Sequence, residues 1–125
     1  MAKLLIVDDE VSIGDALRQV FEYEGHEVRV ARDGPGALGM VEDSPPDVTF
    51  LDVKMPGMDG LEVLEEIRSR DSQALVVMIS GHGTIDTAVE ATRKGAYDFL
   101  EKPLDTDRLL VTLRNALEVK GLTDS

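Results

Sequence analysis

Five short apolar or β-branched runs, each followed by a longer segment whose apolar residues recur at helical spacing, constrain this chain more than any other feature. Parallel strands of one sheet must be joined by crossovers of a dozen or more residues, usually a helix, so this alternation predicts an α/β fold around a parallel sheet. The strands are expected at Leu4 to Val7, Val28 to Ala31, Val48 to Leu51, Ala74 to Ile79 and Asp98 to Leu100. The central runs, Leu75-Val76-Val77-Met78-Ile79 above all, are continuously apolar, as strands covered by helices on both faces must be. Between them, Ile13, Leu17 and Val20, then Ala37, Leu38 and Val41, then Leu61, Leu64 and Ile67 form helical stripes. Ile85, Ala88 and Val89 mark a fourth helix. Leu109, Leu113, Ala116 and Leu117 mark a fifth, starting after a cap at Asp105 or Thr106 and ending before Gly121. Pro45-Pro46, Pro56-Gly57 and Gly81-His82-Gly83 punctuate the units, and there is no internal repeat or low-complexity tract.

A length of 125 residues suits one domain with its own core. No stretch approaches the roughly 20 apolar residues that span a bilayer, and Met1-Ala2-Lys3 leads into no signal-peptide pattern, so no membrane association is expected. The chain has no cysteine, which removes disulfides and thiolate metal sites and fits a cytoplasmic location. Its net charge of -12 repels a phosphate backbone, so direct nucleic-acid contact is not expected.

Ligands of open α/β sheets bind beyond the carboxyl ends of the strands, so chemistry is sought in the residues that follow each run. Asp8, Asp9 and Glu10 follow the first, Asp52 ends the third, Ser80-Gly81 end the fourth and Lys102-Pro103 follow the fifth. If the first, third, fourth and fifth strands are neighbours, three carboxylates, a hydroxyl and an ammonium meet at one rim. Clustered carboxylates raise one another's pKa unless a cation neutralises them, and an all-oxygen donor set suits a hard ion such as Mg²⁺. With that ion in place, a carboxylate oxygen can attack phosphorus in line and give an aspartyl phosphate. Asp52 is the expected attacking residue, since it ends the apolar Val48-Thr49-Phe50-Leu51 and the loop at Met55-Pro56-Gly57 would keep its side chain exposed. Asp8 and Asp9 are the expected metal ligands. Taken singly, each residue has a plainer role: Asp8-Asp9 as a helix cap, Asp52 in a loop, Ser80 in a turn, Lys102 in solvent. Only their joint placement at one edge favours a site.

Four motifs carry a resemblance that covers essentially the whole chain. They are Val7-Asp8-Asp9-Glu10, Leu51-Asp52-Val53-Lys54-Met55-Pro56-Gly57-Met58-Asp59-Gly60, Ile79-Ser80-Gly81 and Lys102-Pro103, and together they resemble the receiver domain of bacterial two-component response regulators. The resemblance implies a doubly wound, flavodoxin-like fold: a five-stranded parallel sheet of order 2-1-3-4-5 flanked by five helices. It implies Mg²⁺-dependent transfer of a phosphoryl group from a sensor histidine kinase to Asp52, with Asp8, Asp9 and the backbone carbonyl of Lys54 completing the metal site. Ser80 corresponds to the hydroxyl that moves toward the phosphoryl group, Lys102 to the ammonium that pairs with it, and Phe99 to the aromatic that changes rotamer. A tyrosine is more usual there, and Phe99 keeps the steric switch without the hydroxyl's hydrogen bonds; the plainer reading of the side chain is ordinary core. Gly81 would leave room for the phosphoryl group, His82 could influence its hydrolysis or be an ordinary loop residue, and Lys102-Pro103 would be cis.

The implied output is a shift in the surface formed by the fourth helix, fifth strand and fifth helix, which is also the expected homodimer face. The stretch from Gly81 to Pro103 is similar to receivers of nitrogen-regulatory, sigma-54-dependent activators, in which output ATPase and DNA-binding domains follow. On this reading residues 1–121 are the receiver domain, and 122–125 are a short polar tail leading to a linker. The chain is expected to be a phosphoacceptor that assists its own phosphorylation and dephosphorylation, not an enzyme. A phosphatase of the haloacid dehalogenase type needs an acid two residues beyond its nucleophile, where Lys54 stands. A flavin site needs a hydroxyl- and glycine-rich phosphate loop after the first strand, where Asp8-Asp9-Glu10 would repel the phosphate.

Overall fold

The computed structural model describes residues 1–81 and 84–121, so His82 and the 122–125 tail lie outside the described residues. The elements run β1 (Lys3–Val7), α1 (Val11–Tyr23), β2 (Glu27–Ala31), α2 (Gly34–Asp43), β3 (Val48–Asp52), α3 (Gly60–Arg70), β4 (Leu75–Ser80), α4 (Ile85–Arg93), β5 (Asp98–Glu101) and α5 (Thr106–Val119). All strand pairs are parallel and the order is β2-β1-β3-β4-β5, as the resemblance implied. β1, β3, β4 and β5 are therefore consecutive neighbours in the sheet, and their carboxyl ends share one edge.

Side chains alternate across a strand, and the apolar runs use both faces. Leu4 and Ile6 of β1 join Phe50, Val77 and Ile79 beneath α1 and α5, where Leu17, Leu109, Leu113 and Ala116 are buried. Leu5 and Val7 join Leu51, Val76 and Met78 on the opposite face beneath α2, α3 and α4, with Val41, Leu64, Ile67 and Ala91. The first face is locked by Phe21 and Phe50, whose ring centroids lie 4.8 Å apart. Phe21 falls outside the stripe read for α1, although it continues it one turn beyond Leu17.

Short polar side chains start four of the helices. Asp33, Asp59, Thr84 and Asp105 each accept a backbone N–H of the first turn, and Asp105 rather than Thr106 caps α5. At the other end of α2, the Arg29 guanidinium donates to the carbonyl of Met40, which also accepts the Ser44 N–H, and to the carbonyl of Ser44 at the helix end. One stripe departs from expectation. Ile85 is 84% exposed and Val89 43%, whereas Ala91 is fully buried. At about 100° per residue, Ile85 and Val89 turn well away from Ala91, so α4 meets the core through a small side chain and presents its larger apolar groups outward.

Candidate functional site

Register brings the chemistry-bearing residues to the same edge. β3 pairs with β4 through Asp52 and Ile79, and β4 pairs with β5 through Ser80 and Glu101, so Asp52, Ser80 and Lys102 leave three adjacent strands together. Asp8 follows β1, where its backbone N–H donates to Ala31 O at 3.1 Å. Beyond β5, the Lys102 backbone N–H donates to Ser80 O at 2.8 Å, which fixes the lysine beside the hydroxyl-bearing residue. The Lys102-Pro103 peptide is cis.

Carboxylate oxygens of Asp8, Asp9 and Asp52 lie within 4.8 Å of one another. Asp8 is 2% exposed and Asp52 5%, while Asp9 faces solvent. Lys102 Nζ bridges the buried pair, 3.3 Å from Asp8 Oδ2 and 3.4 Å from Asp52 Oδ1. Asp8 is not a first-turn cap: its Oδ1 accepts the Glu10 N–H at 2.9 Å, and α1 has no side-chain cap at all. The burial of Asp52 corrects the expectation of an exposed side chain. The loop after β3 folds back, with Val53 and Met55 buried, Val53 N–H donating to Ile79 O at 2.9 Å and Gly60 N–H donating to Val53 O at 2.8 Å.

Burial, and next the charge of Asp8, push the Asp52 carboxyl up to about 6 from its ordinary 3.8, against the lowering pull of Lys102. Burial acts in the opposite sense on Lys102, but the charges of Asp52 and Asp8 outweigh it and hold the ammonium above the ordinary lysine value. The arrangement is thus a negatively charged, half-closed cluster with one cation for three carboxylates. Its donors are all oxygen, two are buried and one is open to water, which suits a small hard divalent ion that keeps part of its hydration shell.

The remaining expected residues are nearby in sequence but differ in setting. Lys54 is exposed in the β3–α3 loop. Ser80 is buried at the end of β4. Phe99 is half-buried, opposite Met78 in the sheet and packed at the margin of the core, so it is neither a fully enclosed core residue nor a free surface one. A Cβ on Gly81 would meet Lys102 Cδ at 3.7 Å, an ordinary contact, so no described neighbour demands glycine there. Two residues gained roles that spacing did not reveal. Asp59 caps α3, accepting from Leu61 N–H at 2.7 Å. Gly60 lets that helix start directly against the backbone of Asp52 and Val53.

Residues 4–114 match the Response regulator receiver domain family. The chain is 48% identical over 121 residues to the nitrogen assimilation regulatory protein NtrX of Azorhizobium caulinodans, covering 95% of this chain and 27% of that protein. It is similar to the crystal structure of the receiver domain of NtrX from Brucella abortus, with 49% identity, TM-score 0.88, and coverage of 92% of this chain and 98% of that one. It is also similar to a CheY-like receiver domain protein from Methanospirillum hungatei, with 27% identity, TM-score 0.92, and coverage of 98% and 99%. The chain spans about a quarter of the length of the curated relatives it matches.

Proposed function

The chain belongs to the response regulator receiver domain family, a family of phosphoacceptor switches that control output domains, and from that premise we propose that Asp52 is the residue that takes the phosphoryl group. The observation that carries the assignment is the Lys102 ammonium held between Asp52 and Asp8 at the carboxyl edge of the sheet. Among the strand-end carboxylates, Asp52 alone combines burial, a lysine partner and a position on the central strand of the sheet.

Asp8, Asp9 and Asp52, with the Lys54 carbonyl, would hold Mg²⁺, which supplies positive charge for the phosphoryl oxygens. The ionised Asp52 attacks phosphorus; the bond to the donor imidazole of a sensor histidine kinase breaks, and that nitrogen keeps the electron pair. Lys102 pairs with the transferred group and Ser80 donates to it. Phe99 then turns inward, and the surface of α4, β5 and α5 changes. That surface carries the outward-facing Ile85 and Val89, consistent with a homodimer face. Water later releases the phosphate, so the domain assists its own phosphorylation and dephosphorylation without turning over a free substrate; a multiple-turnover phosphatase assay tests this. In the parent protein the switch would govern ATPase and DNA-binding domains in the cytoplasm.

Two results are expected. Protonation of Asp52 competes with metal, so the apparent Mg²⁺ affinity is flat above about pH 7 and falls up to about tenfold per unit below about pH 6, measured by calorimetric titration. An affinity unchanged down to pH 5 would remove Asp52 from the ligand set. Lys102→Ala still accepts a phosphoryl group from acetyl phosphate, but the phosphorylated form no longer dimerises or couples to the kinase as the wild type does. Undiminished coupling in that variant would take Lys102 out of the switch.

A further inference from the structure

Lys102 has a third carboxylate within reach. Its Nζ lies 3.9 Å from Oε1 of Glu10, whose side chain is exposed, unlike those of Asp8 and Asp52. The two buried carboxylates are also the groups a divalent ion would use, so metal and ammonium compete for the same charge. Lys102 cannot leave altogether, because its backbone N–H is bonded to Ser80 O. Only its side chain can yield. Glu10 is fixed beside this exchange, since its backbone N–H donates to Asp8 Oδ1 at 2.9 Å and the residue immediately precedes α1.

We propose that Glu10 is a positioning residue for Lys102, accepting the ammonium at the rim when a divalent ion takes the oxygens of Asp8 and Asp52. Without that carboxylate, a displaced ammonium meets only solvent, and Lys102 holds the buried pair more tightly against the incoming ion. The inference rests on the metal-assisted reading of the site.

Calorimetric titration of Mg²⁺ into the wild type, Glu10→Gln, Lys102→Met and the double variant tests it. Removing the Glu10 charge weakens any nearby cation, and this part is common to both backgrounds. The positioning part requires the lysine. Glu10→Gln is therefore expected to raise the Mg²⁺ Kd about fivefold when Lys102 is present and by less than about twofold when it is absent. The metal-free melting temperature of Glu10→Gln stays unchanged. Equal factors in the two backgrounds would overturn the positioning role while leaving the metal site intact; absence of Mg²⁺ binding by the wild type would overturn both. Lys102→Gln serves as the second background if circular dichroism shows Lys102→Met unfolded.

Discussion

Asp52→Asn protein takes up no label from acetyl phosphate and Mg²⁺, whereas the wild type takes up one phosphoryl group, read by intact-mass spectrometry. The amide keeps the size and burial of the side chain but removes the nucleophilic oxygen anion, so the loss is complete rather than graded. Label that persists in the variant would place the acceptor on another residue. The same substitution has an opposite effect on stability. Asp52 has its folded-state pKa raised to about 6, above its ordinary value of 3.8. Its contribution is fully present below the unfolded value and is lost as pH rises through the folded one, because ionising a buried carboxyl beside Asp8 is unfavourable. Without divalent metal at pH 7.5, Asp52→Asn is therefore expected to be more stable than wild type by about 3 kcal/mol, and the difference shrinks toward pH 4. Mg²⁺ narrows it from the other side by neutralising the wild-type cluster. The two expected results set labelling and stability against each other at one side chain, as follows when a carboxylate is held out of water.

The fold was legible because its period is redundant. Ten elements, each marked by its own apolar spacing, leave few ways to assemble a parallel sheet, and the strand boundaries of the structure differ from those read in the sequence by about one residue. The site was legible for a related reason: strand ends are predictable, and ligands of such sheets gather there. What spacing could not supply was depth. Asp52 reads as an exposed carboxylate at a strand end, yet the chain after it folds back over its own backbone through Val53, Met55 and Gly60, and burial follows from that return. The orientation of α4 was hidden because Ile85 and Val89 are larger and more apolar than Ala91, and a periodicity argument weights size where this interface admits only a small residue. Glu10 carried no distinguishing signal beside two acidic neighbours. Its connection to Lys102 spans most of the chain and exists only once β1 and β5 end at the same edge.

Gly60→Ala is expected to destabilise the domain by at least about 3 kcal/mol and to lower its melting temperature by roughly 10 °C. A Cβ there would fall inside contact distance of the Asp52 carbonyl oxygen, 2.7 Å from Val53 Cα and 2.9 Å from Val53 O. These are backbone atoms, so no rotamer change relieves the overlap; α3 must retreat from β3 or the Asp52-Val53 peptide must move. Retreat breaks the Gly60 N–H to Val53 O bond of 2.8 Å and withdraws Val63 and Leu64 from the core. Movement of the peptide carries Asp52 away from Lys102 and Asp8. Either route slows phosphorylation of the folded fraction as well as depleting it, which separates this position from one that matters to stability alone. Gly39→Ala provides the contrast. It lies within α2, and a Cβ there meets nothing within 4 Å, so removing the backbone freedom of glycine should stabilise the domain by about 0.5–1 kcal/mol without changing the labelling rate. Equal melting temperatures for the two alanine variants, measured by circular dichroism, would show that α3 does not start against β3 as closely as the structure has it.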